Sequence, residues 1–252
     1  MATRVTILQR DAVVELLRSD PGGFVAALDA VNLRARGGHR DAASYIEHAV
    51  AWTRDPPRDQ GFLSGIRRAC DLADSFFATW RPDARTHGLA RADAQTLAGL
   101  PWIIAFTPDT YESGLPHTRG EVICLPRVGA TTWHARQMLV TLAHEKVHVY
   151  QRMYPGRAVV TAGNIGCRPF TGNAPGPRGR RANPDVHGAF VDAKGTLMDA
   201  TFVDADPRSL HRARPSSALG EHPHEIIAYR TGDAFGAWLD ASQTVTVSRP
   251  PS

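Results

Sequence analysis

The chain has 252 residues, 42% hydrophobic and 21% charged, which is the profile of a globular protein with one large core or a core and a smaller appendage. Its net charge of +4 is dispersed along the sequence and carried almost wholly by arginine, so no nucleic-acid surface is implied. Cys70, Cys124 and Cys167 are few, odd in number and never in C-x-x-C spacing, which suggests neither a disulfide framework nor a cysteine zinc knuckle.

In chain order, the amino terminus lacks the apolar core of a signal peptide, and no run of about 20 apolar residues follows anywhere. The expected compartment is therefore the cytoplasm, with no membrane partner. Residues 1–82 read as a helical layer, either its own domain or part of a single one. Helices are expected over Asp11–Arg18, Phe24–Arg36, Asp41–Arg54 and Gly61–Trp80, each carrying apolar residues at helical spacing and ending at Gly or Pro. Ala84–Gly99 reads as a mixed connector. The period then changes. Pro101–Thr107 and Glu121–Leu125 are short apolar runs with the character of strands.

The stretch from Trp133 to Met153 contains no Gly or Pro and is expected to be one helix, with Thr131 or Thr132 as its cap. It carries His144-Glu145-Lys146-Val147-His148. Residues four apart share a helix face, so both imidazoles can bind one metal ion. Glu145 points about 100° away from His144 and can instead reach a water bound to that ion. Met138, Leu139, Leu142, Val149, Tyr150 and Met153 form an apolar stripe; Gln137, Thr141, His144, His148 and Gln151 form the opposite face. Lys146 falls within the apolar stripe, and either snorkels or has an acidic partner.

Pro155–Asp185 reads as a long irregular stretch, and Arg178, Arg180 and Arg181 within it suit either an anionic substrate group or a solvated loop. Ala189–Val191 and Thr196–Met198 read as a β-hairpin. A last helix is expected from about Pro223, with Glu225, Ala228, Tyr229, Gly232 and Gly236 on one face. The small residues on that face allow close approach of a second helix.

The His-Glu-x-x-His motif resembles that of the zincin group of zinc metallopeptidases. Gln151 and Tyr154 stand where a Gly and a third His would complete the longer motif, which excludes that branch. Glu225-Ile226-Ile227-Ala228 looks like the Glu-x-x-Ala element of the glutamate-ligand branch, the gluzincins. The resemblance covers residues 100–240 through two short motifs, and the sequence lacks the Asn-Glu-x-x-Ser-Asp form of thermolysin. It implies an α+β fold with a zincin-like catalytic core over residues 83–252. It further implies one Zn²⁺ on His144, His148 and Glu225, with Glu221 as the fallback ligand. In such enzymes an edge strand before the motif helix binds extended substrate, a role this gives to Glu121–Leu125; an ordinary core strand is the other reading.

The implied activity is a zinc-dependent hydrolase, a metallopeptidase cleaving an amide with Glu145 as general base. Tyr229 and then His222 are the candidates for a second catalytic donor. Two alternatives stay open: a zinc lyase, cyclase or small-molecule hydrolase, and a catalytically silent protein that keeps a structural metal. The expected partner is a peptide or small amide, and the sequence does not define an oligomeric state.

Overall fold

In a computed structural model of the chain, the structure describes residues 4–172 and 179–245. The fold is mixed α/β, consistent with the α+β expectation. Its frame is a four-stranded sheet in the order β1-β2-β4-β3. The strands are β1 (Val5–Ile7), β2 (Trp102–Thr107), β3 (His117–Arg119) and β4 (Val122–Pro126). The first three in the order run parallel, and β3 returns antiparallel at the edge. β2 and β4 are apolar nearly throughout because both their faces are covered, the usual sequence pattern of buried parallel strands.

Helices cover the sheet. The N-terminal ones are α1 (Arg10–Ser19), α2 (Ala30–Ala35), α3 (Ala42–Trp52) and α4 (Gln60–Thr79). Only the second differs from expectation: the chain turns through residues 21–27, and the helix starts late because the Asp29 carboxylate caps Asn32 N–H. The connector expected at 84–99 forms two short helices, α5 (Ala84–His87) and α6 (Arg91–Gly99). Asp83 caps the first, and the Asp93 carboxylate accepts the Ala90 N–H at the start of the second. The short β1 pairs with β2, so the N-terminal region contributes to the same sheet as the later half.

After α7 (Gly129–Thr132) comes the motif helix α8 (Ala135–Met153). Its N-cap is His134, without a side-chain cap bond; Thr131 and Thr132 lie in α7 instead. The two-faced pattern expected of α8 is overridden by its place in the fold. From Leu142 to Gln151 it is buried almost all round, His148 included, because α4 packs on one side and α10 (Pro223–Val245) on the other. Lys146 has the acidic partner: its ammonium pairs with Asp74 of α4 and lies 4.0 Å from the centre of the Trp102 ring. Trp102 Nε1 donates to the same carboxylate. A charge on an apolar stripe is thus tolerated by pairing, without any snorkelling.

The stretch expected to be irregular opens with a helix, α9 (Pro155–Asn164), started by Pro155, whose missing N–H costs nothing in a first turn. β5 (Arg168–Pro169) and β6 (Phe190–Val191) form one ribbon; β7 (Ala200–Phe202) and β8 (Ala213–Pro215) form another. The hairpin expected around Asp192–Gly195 exists as a turn closed by Asp192 N–H to Thr196 O and Met198 N–H to Phe190 O, but β6 pairs its strand partner in β5. Among the described residues no helix is long and apolar enough to cross a membrane.

Candidate metal centre

The two helices α8 and α10 meet face to face, and each is the other's most extensive partner. Gly232 makes that possible. A Cβ there would lie 3.1 Å from Val140 Cγ1 and 4.0 Å from His144 Cβ. One at Gly236 would lie 2.8 Å from the Arg136 guanidinium. The close approach brings Glu225, in the first turn of α10, against the histidine face of α8.

The result is a triangle of donor atoms. His144 Nε2 and His148 Nε2 are 3.0 Å apart, and Glu225 Oε2 lies 3.4 and 3.6 Å from them. A tetrahedral ion with bonds of 2.0–2.1 Å needs ligand atoms about 3.3 Å from one another. These three residues can hold a metal ion.

The protonation pattern fits as well. Gln151 donates its amide N–H to the His224 carbonyl at 3.1 Å, so its oxygen faces His148 Nδ1 at 2.9 Å. That oxygen can only accept. His148 therefore carries its proton on Nδ1 and turns Nε2 toward the triangle. Asn183 donates to Glu225 Oε1 at 2.6 Å, leaving Oε2 for an ion. Neither Gln151 nor Asn183 was expected as part of the site. Gln151 stands one turn after His148 on the same face and was legible by helical spacing; Asn183 arrives from a loop and was not.

In the metal-free triangle, burial by itself would lower the His148 pKa, but the Glu225 carboxylate raises it to about 10. Burial likewise opposes the charge on Glu225, and the two imidazoles overcome this and hold it well below the usual carboxylate range. Glu145 shows the reverse. It is 3% exposed, and burial together with Asp185 pushes its pKa well up despite His148. Its Oε2 has no hydrogen-bond partner. A cation held by the triangle would oppose that upward shift, and a buried carboxylate oxygen without a partner beside it is placed to take a proton.

The centre opens into a cleft of about 390 Å³. Its walls are α8, α10, Trp133, the 3-10 turn Tyr111–Gly114 with the residues leading into β3, and the segment 181–185. Tyr229 stands at the mouth, 64% exposed, its ring 4.6 Å from that of His144 in an edge-to-face contact.

His222 is not in the cleft. It is the residue before α10, its Nδ1 accepts the His224 N–H, and its ring packs edge-on against Phe190. Burial holds its pKa down at about 3, so it is a neutral helix cap. Glu221 is also elsewhere, paired with Arg181. Arg180 pairs with Asp199 at 2.8 Å, so both described arginines are engaged by carboxylates of the protein; Arg178 lies outside the described residues.

The segment 180–185 is stitched across the site. Asn32 Nδ2 donates to the Arg180 carbonyl, Ala182 N–H to Asn32 Oδ1, and Arg36 to the Ala182 carbonyl. Arg152 donates to the Pro184 carbonyl, and Asp185 Oδ1 accepts from Thr118 N–H at 2.5 Å. Arg36 also forms a fully buried pair with Glu112, which with Ser113 sits at positive φ in the turn before β3. The N-terminal helices thus hold the loop that orients Glu225.

The substrate-strand expectation for Glu121–Leu125 requires correction. β4 is interior, flanked by β2 and β3. The edges are β1 and β3, and on β3, which contributes His117 to the cleft, register places only Thr118 with its N–H directed outward. That N–H is already taken by Asp185.

Comparison of the chain with protein-family models, curated proteins and solved structures found no match.

Proposed function

We propose that the protein is a zinc-dependent hydrolase that cleaves an amide bond in a compact substrate. The observation that carries this is the combination of the three-donor triangle with the unpartnered Glu145 oxygen beside it. A purely structural metal has no need of a buried, protonatable carboxyl at that place. A zinc ion on His144, His148 and Glu225 would polarise the carbonyl and acidify water. The protein's own residues do the rest. Glu145 takes the proton of the attacking water at its free oxygen and returns it to the leaving amine. Tyr229, exposed at the cleft mouth against His144, donates to the oxygen on which charge develops. His148 is held in one tautomer by Gln151, and Glu225 in one rotamer by Asn183.

The compact-substrate part rests on β3. A polypeptide binding as an added strand would have to displace Asp185 from Thr118. That favours a short peptide or small amide, and keeps a zinc enzyme of small-molecule metabolism as the second reading.

Elemental analysis of wild type and Glu225→Ala, purified identically, tests the metal. One zinc per chain, largely lost in the variant, supports the reading; full retention removes Glu225 from the centre. Glu145→Gln then tests the chemistry. It should keep its zinc and lose hydrolysis of short amides by about 10² or more.

A further inference from the structure

The end of the cleft where β3 meets α8 carries buried acceptors without a partner. His117 is 1% exposed and lines the cleft. Its Nδ1 lies 2.9 Å from the Leu115 carbonyl, which can only accept, so the proton is on Nδ1 and Nε2 is a lone pair. That Nε2 has no partner. Asp185 lines the same end; its Oδ1 is engaged by Thr118, and among the described residues Oδ2 makes no hydrogen bond. Glu145 Oε2 is likewise without a partner, and Asp185 acts electrostatically on both Glu145 and His117.

The cations nearby act on these groups through space, and Arg119 and Arg152 keep N–H groups without a partner, but none of them hydrogen-bonds His117 Nε2 or Asp185 Oδ2 among the described residues. Arg36 is paired with Glu112, and Arg119 with Asp20. Arg152 approaches Asp185 from α8, but its Nη2 donates to Thr118 Oγ1 and the Pro184 carbonyl. Leaving a buried imidazole nitrogen without a partner is costly, so a ligand that supplies N–H groups recovers that cost on binding. With the Glu145 oxygen reserved for the proton of water, a lone pair and a carboxylate oxygen remain. A group with several N–H donors and positive charge satisfies both at once.

We infer that His117 and Asp185 form the specificity end of the cleft and bind a primary ammonium group of the substrate. This rests on the proposed zinc site, because the ammonium is recognised while the scissile carbonyl faces the metal triangle. An α-ammonium beside that carbonyl and a side-chain ammonium farther off share the chemistry, and the test separates them.

Three hydroxamates serve as zinc-anchored probes: leucine hydroxamate, its des-amino analogue, and 6-aminohexanohydroxamate. Their affinities are measured by calorimetry on the zinc-loaded full chain of wild type, Asp185→Asn and His117→Asn. Asparagine at 117 can still donate to the Leu115 carbonyl while deleting Nε2, and asparagine at 185 can still accept from Thr118. Wild type should prefer one of the amino probes over the des-amino probe by about tenfold or more. Preference for leucine hydroxamate assigns an α-ammonium; preference for the longer probe assigns a side-chain one. Each variant should reduce the preference to within about threefold while leaving des-amino binding unchanged. If Asp185→Asn does not fold, His117→Asn decides. Equal binding of amino and des-amino probes by wild type overturns the inference and leaves the zinc site standing. A preference that persists in a folded variant removes that residue from the assignment. Failure of all three probes to bind overturns the zinc reading, and this inference with it.

Discussion

Asn183→Ala should weaken metal binding without unfolding the protein. Its amide donates to Glu225 Oε1 at 2.6 Å, and the Glu225 side chain is only 10% exposed. A hydrogen bond to an ionised carboxylate contributes about 1.5–3 kcal/mol. Part of that returns when water enters the space left by the amide, which favours the lower end. The expected loss in zinc affinity is therefore about tenfold, with about 100-fold as the ceiling. The variant also loses the bond from Asp185 N–H to Asn183 Oδ1, but global stability should change little, because the bonds that tie 180–185 to Asn32, Arg36 and Arg152 remain. The assay is competition against a chromogenic chelator at neutral pH, with thermal unfolding of the metal-free protein alongside. A shift under about threefold, roughly 0.65 kcal/mol, in a folded variant would refute the claim that Asn183 orients the ligand.

Metal affinity should also depend on pH. Glu225 raises the His148 pKa to about 10 in the metal-free protein, so below that pH a bound ion displaces a proton. Apparent affinity should rise about tenfold per unit between pH 7 and 9, and a flat profile in the chelator assay would contradict the assignment. The same shift has the opposite sign for metal-free stability. The contribution of His148 is fully present below its unfolded value near 6.5 and is lost as pH rises toward 10, which urea titrations across that range would detect. Gly232→Val places a branched side chain where a single Cβ already meets Val140 at 3.1 Å. It should cost about 1–3 kcal/mol and impair metal binding, since the helices that carry the ligands must separate; a variant with wild-type zinc content and midpoint would show that the close approach is not required. Asp74→Ala leaves the Lys146 ammonium, 1% exposed, without its partner and should cost about 3–5 kcal/mol. Lys146→Met, which removes the charge and keeps the volume, should cost clearly less in the same denaturation experiment.

Much of the centre was present in local sequence because helix periodicity is local. His144 and His148 share a face at spacing four, and Glu145 diverges from it by one residue's rotation. Ala228, Gly232 and Gly236 mark a face that another helix can approach. The long helices and the two buried strands follow from the same short-range logic of apolar period, caps and breakers. What the sequence left open depends on contacts between residues far apart in the chain. Lys146 sits in an apolar stripe that makes sense only once Asp74, 72 residues away, is beside it. Asn183 has no local mark of its role and gains it because Asn32 and Arg36 hold its loop over Glu225. His222, one residue before Pro223, shares the expected face of Glu225 by arithmetic, yet the helix begins after it and it becomes a cap. Glu121–Leu125 has the composition of a strand, but strand order is a tertiary property. It makes β4 interior, passes the edge to β3 and lets Asp185 close that edge. The sequence by itself determined the two imidazoles and the face they share, since a helix fixes those within one turn. Only the packing of α10 on α8, and of the loop on both, decided which carboxylate completes the triangle and which acceptors are left facing the cleft.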